Sequence, residues 1–180
     1  MTAVAWHVVM SLDGFVAAPG DDMRWIFDVA GPSDTGDEMV ATTGAIVMGR
    51  RTYEVEDRDR PGIYAGAWKG PFFVLTHEAP ATVPDWMTGT FVHDGVEDAV
   101  ARAKTAAGER NVGLLGASIA RQALDAGLLD EIVVQVAPVL LGDGVRMFDR
   151  PATEQIKLEK TGVAESGQLT DLRFRVLARD

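Results

Sequence analysis

Residues 45–53 read Ala45-Ile46-Val47-Met48-Gly49-Arg50-Arg51-Thr52-Tyr53: a short apolar run, a glycine, then residues suited to the first turn of a helix. A strand that passes through glycine into a helix aims unpaired backbone N–H groups and a positive dipole end at one point, which suits a phosphate. Arg50-Arg51 is the only adjacent pair of cations in the chain. Guanidinium forks beside the Thr52 hydroxyl suit a phosphate monoester. The competing reading is a strand followed by a solvated basic turn. A second stretch repeats the arrangement, where Val112-Gly113-Leu114-Leu115 meets Gly116-Ala117-Ser118-Ile119. Small residues at 116–118 let the main chain approach a pyrophosphate closely, and Ser118 can cap the helix or meet an oxygen. An ordinary capped helix competes with that reading too. There is no G-x-G-x-x-G sequence, so a Rossmann dinucleotide fingerprint is not what these turns spell.

Outward from these turns, strand and helix patterns alternate. The Val-rich stretch 4–11 reads as a strand buried on both faces and therefore central, ending in the loop Leu12-Asp13-Gly14. Residues 71–76 and 90–93 are further short apolar runs bounded by turn residues. Val96, Ala99, Val100 and Ala103 recur at helical spacing, with Glu97 and Asp98 in the first turn and Gly108 past the end. Ile119, Ala120, Ala123 and Leu124 form a shorter stripe closed by Gly127, and residues 38–43 form a weaker helix before Gly44. Residues 131–141 read as one long apolar strand with a bend or an edge position at Pro138. Ile156 and Leu158, then Leu172, Phe174 and Val176, alternate with polar residues as in half-exposed antiparallel strands, with a turn at 165–168. The expectation is one α/β domain over residues 1–180, with parallel βαβ units first and an antiparallel hairpin last.

Composition narrows the chemistry. The 180 residues are 47% apolar and 24% charged, as in ordinary globular proteins, and long enough for a substantial core. A formal charge of −10 opposes binding to nucleic acid or an anionic membrane. With no cysteine, disulfides, thiol nucleophiles and Cys-ligated zinc are excluded. Neither a basic leader nor an apolar run of the roughly 18 residues needed to span a bilayer is present, so a cytoplasmic location is expected. Residues 116–120 also resemble a relaxed nucleophile elbow, but that hydrolase arrangement needs a later histidine. His7, His77 and His93 all precede Ser118. None has metal-ligand spacing, and His7 is expected to be a core or sheet residue rather than a ligand.

Taken in order, Ser11-Leu12-Asp13-Gly14-Phe15-Val16-Ala17, Met48-Gly49-Arg50-Arg51-Thr52-Tyr53-Glu54, Val74-Leu75-Thr76, Leu114-Leu115-Gly116-Ala117-Ser118 and Pro138-Val139-Leu140-Leu141-Gly142-Asp143-Gly144 resemble the dihydrofolate-reductase-like family. The branch they are most similar to is the riboflavin-biosynthesis reductase, or RibD C-terminal, domain, over about residues 3–178. The resemblance implies a three-layer fold with a mostly parallel twisted sheet, and an NADPH-dependent reductase. By it, Gly49, Arg50, Arg51 and Thr52 would hold the 2′-phosphate side of the adenosine, and Leu75, Thr76 and His77 would lie near the adenine. Gly116, Ala117, Ser118 and Ile119 would hold the pyrophosphate, where this chain has Gly-Ala-Ser in place of consecutive glycines.

Residues 13–18, Ala17 among them, correspond to the mobile segment that closes over nicotinamide and substrate in such enzymes. Asp13 is the first candidate for protonating the acceptor, with a pKa raised by desolvation at the strand end; Asp28, near Trp25, is its rival. Trp25 is expected to be a packing residue or pocket wall. Arg146 and Arg150 are candidates for a substrate phosphate. The implied reaction is hydride transfer to a C=N or C=O of a small heterocycle, as in 5-amino-6-(5-phosphoribosylamino)uracil reduction. Alternatives are a dihydrofolate or pterin reductase and a non-catalytic NADPH-binding domain. A zinc deaminase unit is not expected, and a homodimer is.

Overall fold

The computed structural model describes residues 2–29, 31, 33–58, 62–64, 66–149 and 155–178. From the N-terminus run β1 (Val4–Ser11), β2 (Phe15–Ala17), α1 (Trp25–Val29) and α2 (Asp34–Thr42). Next come β3 (Thr43–Gly49), α3 (Arg50–Arg58), β4 (Phe72–Leu75), β5 (Thr90–Val92) and α4 (Gly95–Ala107). The remainder is β6 (Asn111–Leu115), α5 (Ala117–Asp125), β7 (Glu131–Ala137), β8 (Val145–Arg146) and the hairpin β9 (Leu158–Ser166) and β10 (Leu169–Val176). The main sheet has the order β5-β4-β3-β6-β1-β7-β10-β9. Its strands are parallel from β5 through β7, and β10 and β9 are added antiparallel.

Strand alternation explains why both faces of this sheet are covered. In β3, Ala45 and Val47 face a core built with Val96, Val100 and Ile119, whereas Ile46 and Met48 face a second core with Tyr53, Phe72 and Val74. Helices α4 and α5 thus cover one side and α3 the other, and the expected three-layer arrangement is what the chain adopts. Glycine fixes one helix end: Gly108 follows α4 with φ 64° and ψ −119°, a positive-φ conformation that glycine adopts readily and that takes the chain out of the helix.

Four expectations need correction. The run 131–141 is a strand only to Ala137, because Pro138 cannot donate a ladder hydrogen bond; β7 also lies inside the sheet rather than at an edge. The hairpin begins at Leu158, and Ile156 precedes it, packed against the larger core. Residues 13–18 are not an open loop, since they contain the buried strand β2, paired antiparallel with β8. Finally, β1 is fully buried only at Val4–Trp6 and again at Ser11; residues 7–10 are half-buried.

Candidate active site

Register brings the two glycine turns together. β3 and β6 are neighbours with Met48 opposite Leu115, so the chain leaves both strands side by side at Gly49 and Gly116. Gly116 has φ 95° and ψ 139°, a conformation essentially reserved for glycine, and a Cβ there would collide with Oγ1 of Thr52 from the other turn. A Cβ on Gly49 would stand 3.2 Å from Cγ1 of Ile119. No side chain caps α5, and neither α3 nor α5 has an acidic residue in its first turn. The first-turn N–H groups of α5 are therefore not taken by a side chain. Ser118 is not the cap the sequence allowed; its Oγ accepts from Gln122 Nε2 at 3.3 Å.

Both turns open into a cleft of about 1040 Å³ at the carboxyl ends of the parallel strands, the usual ligand position in such sheets and about the upper size for a small-molecule site. All twelve residues expected around a cofactor line this one cleft: Ala17, Gly49, Arg50, Arg51, Thr52, Leu75, Thr76, His77, Gly116, Ala117, Ser118 and Ile119. Arg50 lies between two groups, with Nε on Glu54 Oε1 at 2.8 Å and Nη1 donating to the Glu78 carbonyl at 3.4 Å. That carbonyl also accepts from Thr76 Oγ1 at 2.8 Å, so the guanidinium is placed against the loop after β4. Glu54 raises the Arg50 pKa above its ordinary value, and the cation is permanent. Arg51 faces Asp21 Oδ2 at 3.7 Å.

The two acids singled out in the sequence lie elsewhere. Asp13 is absent from the cleft lining; its Oδ1 accepts from Ser11 Oγ at 2.6 Å and Leu141 N at 3.1 Å, and its Oδ2 from Gly142 N at 2.7 Å. The hydrogen bond from Ser11, with those from the Gly142 and Leu141 amides, holds the carboxyl below its ordinary value, the reverse of the rise expected from desolvation. Asp13 staples the end of β1 to the 138–144 loop. Close by, Gly144 passes so near Ala17 that a Cβ would strike the Ala17 carbonyl oxygen. Asp28 is exposed on α1 and outside the lining; Trp25 is half-buried and also outside it, whereas Met23, Ile26 and Phe27 form wall. Arg146 lies over the Phe15 ring at 4.7 Å and does not line the cleft; Arg150 falls outside the described residues.

His7, expected as a core or sheet residue, is in strand β1 and also lines the cleft, where its Nε2 is 2.9 Å from Gln135 Oε1 on β7. Gln135 Nε2 donates to Asp171 Oδ1 on β10 at 2.9 Å and to Ser33 Oγ at 2.8 Å. Asp171 Oδ2 accepts from Ser166 Oγ at 2.7 Å and from Thr35 Oγ1. Asp171 is fully buried and Gln135 nearly so, although alternation in the hairpin had put Asp171 on the solvent side. Burial would raise the Asp171 carboxyl, but the hydrogen bonds from Thr35, Gln135 and Ser166 outweigh it and hold the group low. The available signal was the lone glutamine inside the apolar run Glu131–Ala137.

The family model for the RibD C-terminal domain matches residues 2–170. The chain belongs to that family. A relative from Bacillus subtilis (strain 168), the uncharacterized protein YwjB, is 26% identical over 169 residues, covering 93% of this chain and 94% of that protein. Among solved structures, a putative riboflavin biosynthesis protein from Shewanella sp. PV-4 superimposes with a TM-score of 0.82 at 23% identity, over 98% of this chain and 100% of that one. A diaminohydroxyphosphoribosylaminopyrimidine deaminase/5-amino-6-(5-phosphoribosylamino)uracil reductase from Thermotoga maritima gives 0.73 at 17% identity, and this chain spans 57% of it. At these identities the structural likeness establishes the RibD C-terminal fold. No helix among the described residues is long and apolar enough to cross a membrane.

Proposed function

We propose that this RibD C-terminal family member is a cytoplasmic NADPH-dependent reductase acting on a small heterocycle of the aminopyrimidine type. The observation that carries this reading is the pair of adjacent glycine turns, one opening the uncapped helix α5 and the other the Arg50-Arg51 pair, on one large cleft. The cradle fits a phosphorylated dinucleotide: Gly116 keeps its place clear of any Cβ, and the chain's only adjacent cations stand beside it despite a net charge of −10. Reduced nicotinamide, when bound, supplies a hydride to an electrophilic C=N or C=O carbon.

The residues of the chain bind and place. Gly116, Ala117, Ser118 and Ile119 offer backbone N–H groups to a pyrophosphate, and Arg50, Arg51 and Thr52 meet a 2′-phosphate. Leu75, Thr76 and His77 form the adenine wall, and Ala17 of the buried strand β2 borders the nicotinamide end. Placement of donor and acceptor carbons within about 3–3.5 Å, with water excluded, is the main catalytic contribution asked of the fold. Asp13 shapes the site as a staple and gives no proton, because its oxygens accept three hydrogen bonds and stay ionised at neutral pH. Exposed Asp28 also lies outside the cleft lining, so neither acid singled out in the sequence is assigned the proton for the reduced substrate. A homodimer would use the outer strand β9, where Val163 is 59% exposed, since β7 lies inside the sheet.

Titration of nicotinamide fluorescence with NADPH and NADH in parallel tests the cofactor, and tight NADPH binding with weak NADH binding is the expected result. NADPH oxidation should then follow addition of an aminopyrimidine more readily than of a pterin. Binding without oxidation by either acceptor would leave a cofactor-binding domain in place of a reductase.

A further inference from the structure

We propose that His7 selects the substrate: its Nδ1 accepts a hydrogen bond from a ring N–H or amino group of a heterocycle in the cleft, and Gln135 and Asp171 hold the ring in the form that can do so. The inference deepens the reductase reading and rests on it for the identity of the ligand as substrate. Its basis is a chain of forced choices across three strands. An ionised carboxylate only accepts hydrogen bonds, so the Gln135 group 2.9 Å from Asp171 Oδ1 is the amide nitrogen. The same nitrogen donates to Ser33 Oγ at 2.8 Å, and turning the amide over would set its oxygen against the Asp171 carboxylate. Gln135 Oε1 therefore faces His7 Nε2 at 2.9 Å, and an amide oxygen accepts, so Nε2 carries the proton. Burial pushes His7 below its ordinary pKa, against the smaller opposing effects of Gln135 and Asp171, and the ring is neutral at pH 7.

What remains is a bare Nδ1 on a residue of the cleft wall, with no hydrogen-bond partner among the described residues. A ring kept for packing alone needs no fixed tautomer, yet this one is set by a fully buried aspartate two strands away, whose other oxygen is in turn held by Thr35 and Ser166. Apolar Val9, Ile26, Phe27 and Val40 also border the cleft, together with polar Ser33 and Asp37. A planar heterocycle bearing a donor on its edge satisfies both kinds of surface. One that carries only acceptors or methyl groups at that edge leaves the Nδ1 lone pair desolvated and unpaired.

The probe is 6-aminouracil, compared with 6-dimethylamino-1,3-dimethyluracil, which has no N–H group. In wild-type protein with 15N-labelled histidine, long-range proton–nitrogen spectra should show His7 protonated on Nε2 and bare on Nδ1. Adding 6-aminouracil should move the Nδ1 resonance, and the methylated compound should not. In calorimetric titrations of the NADPH-loaded protein, 6-aminouracil should bind at least about tenfold more tightly than the methylated compound. In His7→Phe that preference should shrink to within about twofold while NADPH titration stays as in the wild type. Asp171→Asn, which lets the Gln135 amide turn over, should shift protonation of His7 toward Nδ1. A protonated Nδ1 in the wild type, an Nδ1 resonance indifferent to 6-aminouracil, or a preference that survives in His7→Phe overturns the inference. Recording the spectra with and without NADPH separates the two readings: absence of NADPH binding removes the reductase, whereas an Nδ1 response to 6-aminouracil stands without it.

Discussion

The ends of β1 and β6 present the same kind of group and treat it in opposite ways. Beyond β1, the Leu141 and Gly142 amides are occupied by an anion the chain itself supplies, the Asp13 carboxylate, with the Ser11 hydroxyl as a further donor. Beyond β6, the first turn of α5 has no capping side chain and no acid, and the neighbouring turn brings two arginines. Backbone donors are costly to bury unsatisfied; those at the β1 corner are closed by the chain itself, whereas those opening α5 are left to water or a ligand. The difference separates a structural corner from the corner proposed to bind the cofactor, although both follow a parallel strand and both contain glycine.

Removing the conformational freedom of Gly116 should break the comparison most severely. Gly116→Ala places a side chain where φ is 95° and the Thr52 hydroxyl already sits, a strain of about 1–3 kcal/mol on the backbone alone. The urea midpoint is expected to fall, and NADPH affinity, read by nicotinamide fluorescence, to drop by more than about tenfold as the α5 amides lose their aim. A folded variant that binds NADPH normally would show that the open turn is not the anion site. Next in size is Arg50→Ala, expected to weaken NADPH at least about tenfold, the scale of one charge-assisted hydrogen bond, while leaving NADH nearly unchanged. Equal losses for both cofactors would take Arg50 away from the 2′-phosphate.

The convergence of the two glycine turns on one cleft, the corner proposed for the cofactor, was legible in the sequence because its pattern is local. Gly49-Arg50-Arg51-Thr52 and Gly116-Ala117-Ser118-Ile119 each carry strand, glycine and helix start within one short stretch, and pairing of β3 with β6 brings them together. The structural corner was not legible, since the backbone partners of Asp13, Leu141 and Gly142, lie 128 and 129 residues away in the chain, and Ser11 nearby does not distinguish a staple from an acid. The same holds for the His7, Gln135 and Asp171 network, whose members sit on three strands and meet only through sheet register. Asp171 shows the limit of period-two reading: alternation assigned its face correctly, but α2 covers that face with Thr35, so the polar side became interior. Likewise β2 is only three residues long and its partner β8 two, too short to show a period.

A smaller effect is expected at the staple. Asp13→Asn keeps the shape of the side chain but removes its charge and one of its two acceptor oxygens, so an amide nitrogen faces at least one of the three donors. The protein should fold with a lower melting temperature at pH 7 and bind NADPH as before. The folded carboxyl lies below its ordinary value of 3.8, so its contribution is present above that value and is lost as pH falls through the folded pKa. Wild type and variant should therefore differ most near neutrality and converge in acid. A difference that does not depend on pH would mean the charge of Asp13 contributes nothing and the corner is held by geometry alone.

The smallest expected effect tests how open the binding corner is. Glu54 pairs with Arg50 at 2.8 Å one helical turn on, with both side chains about half exposed, at 54% and 48%. With the base N-terminal to the acid, this is the weaker order for an exposed pair on a helix, worth a few tenths of a kcal/mol. A phosphate must compete with Glu54 for the same guanidinium, so Glu54→Gln should tighten NADPH by about twofold, leave NADH unchanged and hardly move the melting temperature. A gain nearer tenfold would mean that the chain partly fills this corner with its own carboxylate, as it fills the corner at Asp13. A loss would mean instead that Glu54 holds Arg50 in the orientation that meets the phosphate, and that the ion pair belongs to the binding site rather than standing against it.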